Sequence, residues 1–184
     1  MELGYKGGSP KSDAKFVYLL GADETEGSSI PKDAFVVYQG HHGDSGAYYA
    51  DVILPGAAFT EKSATFMNTE GRAQTTRVAV APPAGAREDW KIIRALSEVS
   101  GTTLPYDDIY EVRNRLADLS PALVEYDQIH ATSPAIAKLG LKALSNIKST
   151  AKGALRLPIR DFYLTDPISR ASATMAKCSQ VYVD

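Results

Sequence analysis

The chain has 184 residues, 44% of them hydrophobic and 23% charged, with a formal net charge of −2 and a pI of about 5.9. Such a balance suits one globular domain and excludes the basic excess by which nucleic acid or an anionic lipid surface is recognised. The single cysteine, Cys178, excludes an internal disulfide framework, a cysteine-ligated iron–sulfur cluster and a structural zinc site, and no apolar run approaches the length that spans a bilayer.

The first residues, Met1-Glu2-Leu3-Gly4-Tyr5-Lys6-Gly7-Gly8, form neither an apolar signal core nor an Arg-rich amphipathic stretch. A targeting sequence is therefore expected upstream on a longer polypeptide, or already removed. Three short apolar runs follow: Phe16-Val17-Tyr18-Leu19-Leu20, Phe35-Val36-Val37-Tyr38 and Val52-Ile53-Leu54. Each is rich in β-branched or aromatic residues and closely followed by Gly or Pro-Gly, the pattern of strands covered on both faces of a parallel sheet. Gln39 to Asp51 is just long enough for a crossover with a short helix, which Asp44 is placed to cap. Three strands leave an open edge, so the sheet reads as incomplete.

Phe59 to Gln74 is polar and turn-rich, and Thr75 to Ala81 reads as a further strand before the break at Pro82-Pro83-Ala84-Gly85. The clearest helix runs from Arg87 to Ser100, with Glu88 and Asp89 in its first turn and Gly101 placed to stop it. Its residues Ile92, Leu96 and Val99, joined by Ile93, predict one buried stripe. Further helices are expected over Asp107–Leu119, ended by Ser120-Pro121, over Pro134–Ile147, and over Asp166–Gln180 with Asp166 as cap and Pro167 at the first position.

Few residues offer chemistry. His41 and His42 are adjacent and lack a third ligand at metal-site spacing, and His130 stands alone. Gly21-Ala22-Asp23 after the first strand sits where ligands favour parallel sheets, but no GxGxxG fingerprint or GxxxxGK[ST] loop is present. Glu61 and Glu70 could be proposed as an acid–base pair. Lys62 and Arg72 beside them are better suited to keep both carboxylates ionised, so the segment Thr60 to Arg72 reads as a structural latch. No serine lies in a recognised triad context. Accordingly no catalytic, cofactor-binding or metal-ligating residue is assigned.

Several strings carry a resemblance. Phe35 to Asp44, Ala50 to Ala58, Thr60 to Thr65, Asn68 to Gln74 and Ala86 to Glu98 resemble the mitochondrial large iron–sulfur subunits of NADH:ubiquinone oxidoreductase, respiratory complex I. Leu104-Pro105-Tyr106-Asp107, Asp161-Phe162-Tyr163, Ile168-Ser169-Arg170-Ala171-Ser172 and Met175-Ala176-Lys177-Cys178 continue the match. It is close over 35–124 and 159–178 and looser elsewhere, and Tyr48-Tyr49 departs from the smaller or aliphatic residues of the pattern. The string Ala50-Asp51-Val52-Ile53-Leu54-Pro55 followed by Glu61-Lys62 and Asn68-Thr69-Glu70-Gly71-Arg72 is also similar to molybdopterin-dependent oxidoreductases.

The resemblance implies an α/β fold: an incomplete, mostly parallel sheet of the molybdopterin-oxidoreductase type followed by several helices. Residues 1–125 would form part of that domain, and 126–184 a helical extension packing on it or on neighbouring subunits. It implies a structural portion of the subunit, supporting NADH-to-ubiquinone electron transfer without a molybdenum cofactor. The iron–sulfur clusters are expected in a cysteine-rich N-terminal portion or in partner subunits, and Cys178 matches none of their ligands. Expected partners are that N-terminal portion and other matrix-arm subunits, on the matrix side of the mitochondrial inner membrane, with no nucleic acid and no membrane insertion. Either a separate gene encodes this part or the chain is a fragment. A molybdopterin- or nucleotide-binding oxidoreductase domain is the alternative, and an independent nucleotide-binding module ranks last.

Overall fold

A computed structural model describes residues 13–25, 27–131, 133–145, 153–154, 157 and 159–183. Strands β1 (Phe16–Leu20), β2 (Phe35–Gly40) and β3 (Val52–Pro55) form the expected parallel sheet, in the order β1-β2-β3. Val37 at its centre lies opposite Tyr18 on one side and Val52 on the other. Asp51 fixes where β3 enters: its side chain accepts from the Val36 amide at 2.7 Å, and its own amide donates to the Val36 carbonyl at 2.8 Å. The crossover from β2 to β3 is a single helical turn, α1 (Ser45–Tyr48), capped by Asp44, which accepts from the Ser45 amide at 2.8 Å.

Strand alternation sends Val17, Leu19, Val36 and Tyr38 to one face, where Ala22, Ile30, Ala34, Ala47 and Ala50 complete a small core. Small residues are needed because the crossover lies almost against the sheet. A Cβ on Gly46 would sit 2.2 Å from the Ala22 carbonyl oxygen and 2.9 Å from the Tyr38 ring. The opposite face carries Phe16, Tyr18, Leu20, Phe35, Val37, Val52 and Leu54, which with Ile93, Leu96 and Val99 line an open groove of about 700 Å³.

Beyond β3 the backbone continues as an isolated parallel bridge between Gly56 and Arg87, with the Ala57 amide donating to the Arg87 carbonyl at 2.8 Å. This extended contact delays the following helix, α2, which spans Asp89–Val99 rather than beginning at Arg87. Its predicted stripe is not buried: Leu96 is 37% and Val99 88% exposed. Among the described residues nothing packs across the stripe, so it becomes one wall of the groove. The residue of α2 that is buried is Ser97, whose hydroxyl donates to the Arg94 carbonyl and accepts from the Leu104 amide.

The turn-rich segment folds as an antiparallel hairpin, β4 (Thr65–Met67) with β5 (Ala73–Thr75). Asn68 organises its tip by accepting from the Glu70 and Arg72 amides, each at 3.0 Å, and Gly71 adopts the left-handed region at φ +85. The strand expected over Thr75–Ala81 is not formed beyond Thr75. The chain opposite it has already curled into a 3-10 turn at Phe59–Glu61, so the amides of Ala79 and Val80 converge on the single Thr60 carbonyl instead of a ladder.

Helix α3 (Ile109–Leu119) starts at Asp108, whose carboxylate accepts from the Tyr110 and Glu111 amides at 2.7 and 2.8 Å, and it ends at Ser120-Pro121 as expected. Helix α4 spans Pro134–Ser145; the expected continuation to Ile147 lies outside the described residues. Asp166 and Pro167 open the tail as predicted. The tail is nevertheless two helices, α5 (Pro167–Ala171) and α6 (Ala173–Tyr182), because Ser172 is extended and its hydroxyl caps α6 by accepting from the Met175 amide.

The close crossover gives a paired test. Gly46→Ala is expected to lower stability by roughly 1–3 kcal/mol through overpacking against backbone. Gly43→Ala, where an added Cβ meets nothing within 4 Å, should leave the urea midpoint within experimental error.

Candidate functional site

The carboxyl ends of β1 and β2 collect most of the partly buried polar groups, in two clusters. The first is built on Gln39, which lies on the groove side of β2 and is fully buried. Tyr18 donates its hydroxyl to Gln39 Oε1, and Gln39 Nε2 donates to Asp89 Oδ1 at 2.8 Å. The other oxygen of Asp89 holds Lys62 Nζ at 2.5 Å. The carboxylate thereby joins strand, helix start and the segment before the hairpin. Burial, then the nearby Asp89 charge, raise the Tyr18 phenol above its ordinary pKa, so Tyr18 remains the donor.

Neighbouring Glu88 clamps the same segment, accepting from the Ser63 amide at 3.2 Å, from Trp90 Nε1 at 3.1 Å and from Lys91 at 2.9 Å. Burial alone would raise its carboxyl. The bonds from Lys91, the Ser63 amide and Trp90 outweigh that and hold it below the usual carboxylate range. Arg113 on α3 reaches across to the Ser63 hydroxyl at 2.9 Å, so the starts of α2 and α3 both grip residues 62–63.

The second cluster centres on Arg170 in α5. Its Nε donates to Asp44, Nη2 lies 3.0 Å from Asp23 and Nη1 3.5 Å from Glu24, while Nη1 also donates to the Leu164 carbonyl. Asp23 belongs to the turn that follows β1, and Asp44 to the loop that follows β2. One guanidinium thus spans the mouth of the sheet with the fork geometry that makes arginine the residue for such a site.

The sequence candidates fall into separate places. Glu61 accepts from the Ala58 amide at 2.9 Å and closes its own 3-10 turn, while Glu70 pairs with Arg72 at 3.6 Å at the exposed hairpin tip. Lys62 was expected beside Glu61 and instead pairs with Asp89, because its chain segment lies against the start of α2. His41 and His42 face each other with their Nδ1 atoms 2.7 Å apart, one donating and one accepting. Burial, His42 and Lys62 push the His41 imidazole below its ordinary pKa. Among the described residues no group of three or more His, Cys, Asp or Glu is assembled that could hold a metal ion. His130 pairs with Glu125 at 2.9 Å.

Gln39, Arg113, Arg170 and Asp127 carry the structure without having been singled out from the sequence. Asp127 takes positive φ (62) and ties the later segment to the hairpin through its amide on the Ala73 carbonyl and its carboxylate on Gln74. Only the string around Arg170 left a trace, as a matched motif without a role.

The depressed Glu88 carboxyl sets a pH dependence. With its folded pKa below its unfolded value, its contribution is fully present above pH 4.5 and is lost as pH falls through the folded pKa. Glu88→Gln should therefore lower the urea midpoint at neutral pH and flatten the acid limb of the stability–pH curve. An acid limb identical to that of the unaltered chain would refute the clamp.

Comparison with known proteins adds the lineage. The chain is 60% identical over 172 residues to the mitochondrial NADH-ubiquinone oxidoreductase 78 kDa subunit of Candida albicans, covering 92% of this chain and 24% of that protein. It is 54% identical over 166 residues to the Neurospora crassa protein of the same name, covering 90% and 22%. Against the mitochondrial NADH dehydrogenase [ubiquinone] iron-sulfur protein 1 of Solanum tuberosum it is 49% identical over 175 residues, covering 92% and 23%. The chain therefore spans less than a quarter of the length of these relatives. Residues 128–178 match a family of C-terminal NADH-ubiquinone oxidoreductase segments. Residues 4–99 match the Molybdopterin oxidoreductase family, and that stretch includes the parallel sheet, the crossover helix and both strand-end loops. By this match over more than half its length, the chain belongs to the molybdopterin oxidoreductase family.

Proposed function

We propose that the chain is a structural, cofactor-free part of the large iron–sulfur subunit of a mitochondrial NADH-ubiquinone oxidoreductase, supporting electron transfer by holding the shape of its surroundings. The observation that carries this reading is the bare apolar face of the parallel sheet. Phe16 and Phe35 are 59% and 49% exposed there, beside the open stripe of α2. Parallel sheets are covered on both faces, and an apolar groove of this extent is the surface of an obligate-type interface. The remaining portion of a relative-length subunit is the cover we assign to it.

The family name raises the question of a molybdopterin, an anionic pterin bearing a phosphate. The strand ends do not fit one. They present the carboxylates Asp23, Glu24 and Asp44, and the cations beside them, Arg170 and Lys62, are already paired with carboxylates. An anion would meet like charge where it needs free donors. We take the redox centres to lie in other parts of the subunit or in its partners. Residues 1–125 act as part of the α/β domain and 126–184 as an extension packed on it. No helix among the described residues is long and apolar enough to cross a membrane, and the mitochondrial names of the relatives support placing the chain in the matrix arm.

Introducing Val52→Lys into the groove tests the reading. The purified chain should self-associate and bind a hydrophobic dye, and the substitution should reduce both. In cells the same variant should fail to enter the respiratory assembly. A monodisperse monomer that melts cooperatively, or stoichiometric molybdenum or pterin bound to the chain, would overturn it.

A further inference from the structure

The matched string Ile168-Ser169-Arg170-Ala171-Ser172 has no part in the groove, and its geometry points to a second device. We infer that residues 159–183 form an intramolecular strap closed across the strand-end mouth of the sheet, with Arg170 as its fastener.

The strap is organised before it reaches the sheet. Asp166 accepts from the Ile168 and Ser169 amides at 2.9 and 3.1 Å, which starts α5, and Pro167 presets the first helical φ. Asp161 accepts from the Tyr163 amide at 2.8 Å and from the Ser179 hydroxyl at 2.5 Å, folding α6 back on the entry segment, and Tyr163 stacks on Tyr182. The Leu164 carbonyl takes one guanidinium nitrogen from behind, so Arg170 is presented with its plane already set. On the other side, the turn after β1 and the loop after β2 bring Asp23, Glu24 and Asp44 together, three carboxylates that repel one another until a cation enters. A gap of about 530 Å³ lined by Glu24, Ile159, Arg160, Asp161, Leu164 and Thr165 separates the entry segment from the β1 turn. The closure therefore rests on charge and fork geometry rather than on apolar packing, which is how a part that can open is held. Asp23 and Asp44 lie within residues 4–99 and Arg170 within 128–178, so the fastener joins the two family-matched stretches.

Peptide-resolved hydrogen exchange on the full chain tests the strap. Arg170→Ala should raise exchange over 160–183 and 41–49 by about tenfold or more while 16–20 and 35–38 keep their protection. Arg170→Lys, which keeps the charge and loses the fork, should restore less than half of the lost protection. The reversed pair Asp44→Arg with Arg170→Asp should recover more of it than either change alone. Unchanged tail exchange in Arg170→Ala would overturn the inference. So would loss of protection in the sheet to the same degree as in the tail, since that marks a support of the core and not a strap. Full rescue by lysine would remove the fork from the account and with it the fastener.

Discussion

A central strand in a parallel sheet has both edges paired and needs cover on both faces, and β2 is where this constraint is met and where it fails. Its edges are filled by β1 and β3. One face is sealed by a crossover so close that position 46 has room only for glycine. The other face is sealed at its carboxyl end alone, where Gln39 is fully buried by its bonds to Tyr18 and Asp89. The rest of that face remains an apolar wall. Every larger feature follows from this asymmetry: a finished side that carries loops and charges, and an unfinished side that calls for more protein.

The finished side neutralises itself. Lys62 sits on Asp89, Lys91 on Glu88, and Arg170 on Asp23, Glu24 and Asp44. The crevice beyond the carboxyl ends of parallel strands is the usual ligand position in open α/β sheets. In this chain that position is filled by its own side chains. A buried charge without a partner costs several kcal/mol, so removing an ancestral ligand from such a mouth requires that its charges be matched internally. The ion pairs do that matching, and they knit together segments far apart in sequence.

Scaffold and strap are complementary readings of one module. The groove offers contact without chemistry, which suits a part whose work is to keep neighbouring groups in place. The tail closes the face that could otherwise admit a ligand. Stability is then uneven by construction: strand pairing and the alanine-rich core are held by hydrogen bonds and close packing, whereas the tail is held across a gap by one guanidinium.

Local features were legible in the sequence because backbone sterics and near neighbours decide them. The three apolar runs ended by Gly or Pro-Gly became the three strands, Asp44 and Asp166 became caps, and Asn68 to Gly71 became the hairpin turn. Beyond this, only the tertiary structure decided. The valines of residues 76–81 have strand propensity, but no extended partner runs beside them. The α2 stripe has helical spacing, yet spacing cannot say whether anything covers it. Lys62 lies next to Glu61 in sequence and bonds Asp89, and Arg170 finds Asp23 and Asp44 from 147 and 126 residues away. The amino-acid order thus set which segments are strand, turn or cap, through torsions and hydrogen bonds a few residues long. Which charges meet, and which apolar face stays open, was fixed by the approach of remote segments, because pairing depends on distance in space and no local pattern encodes it.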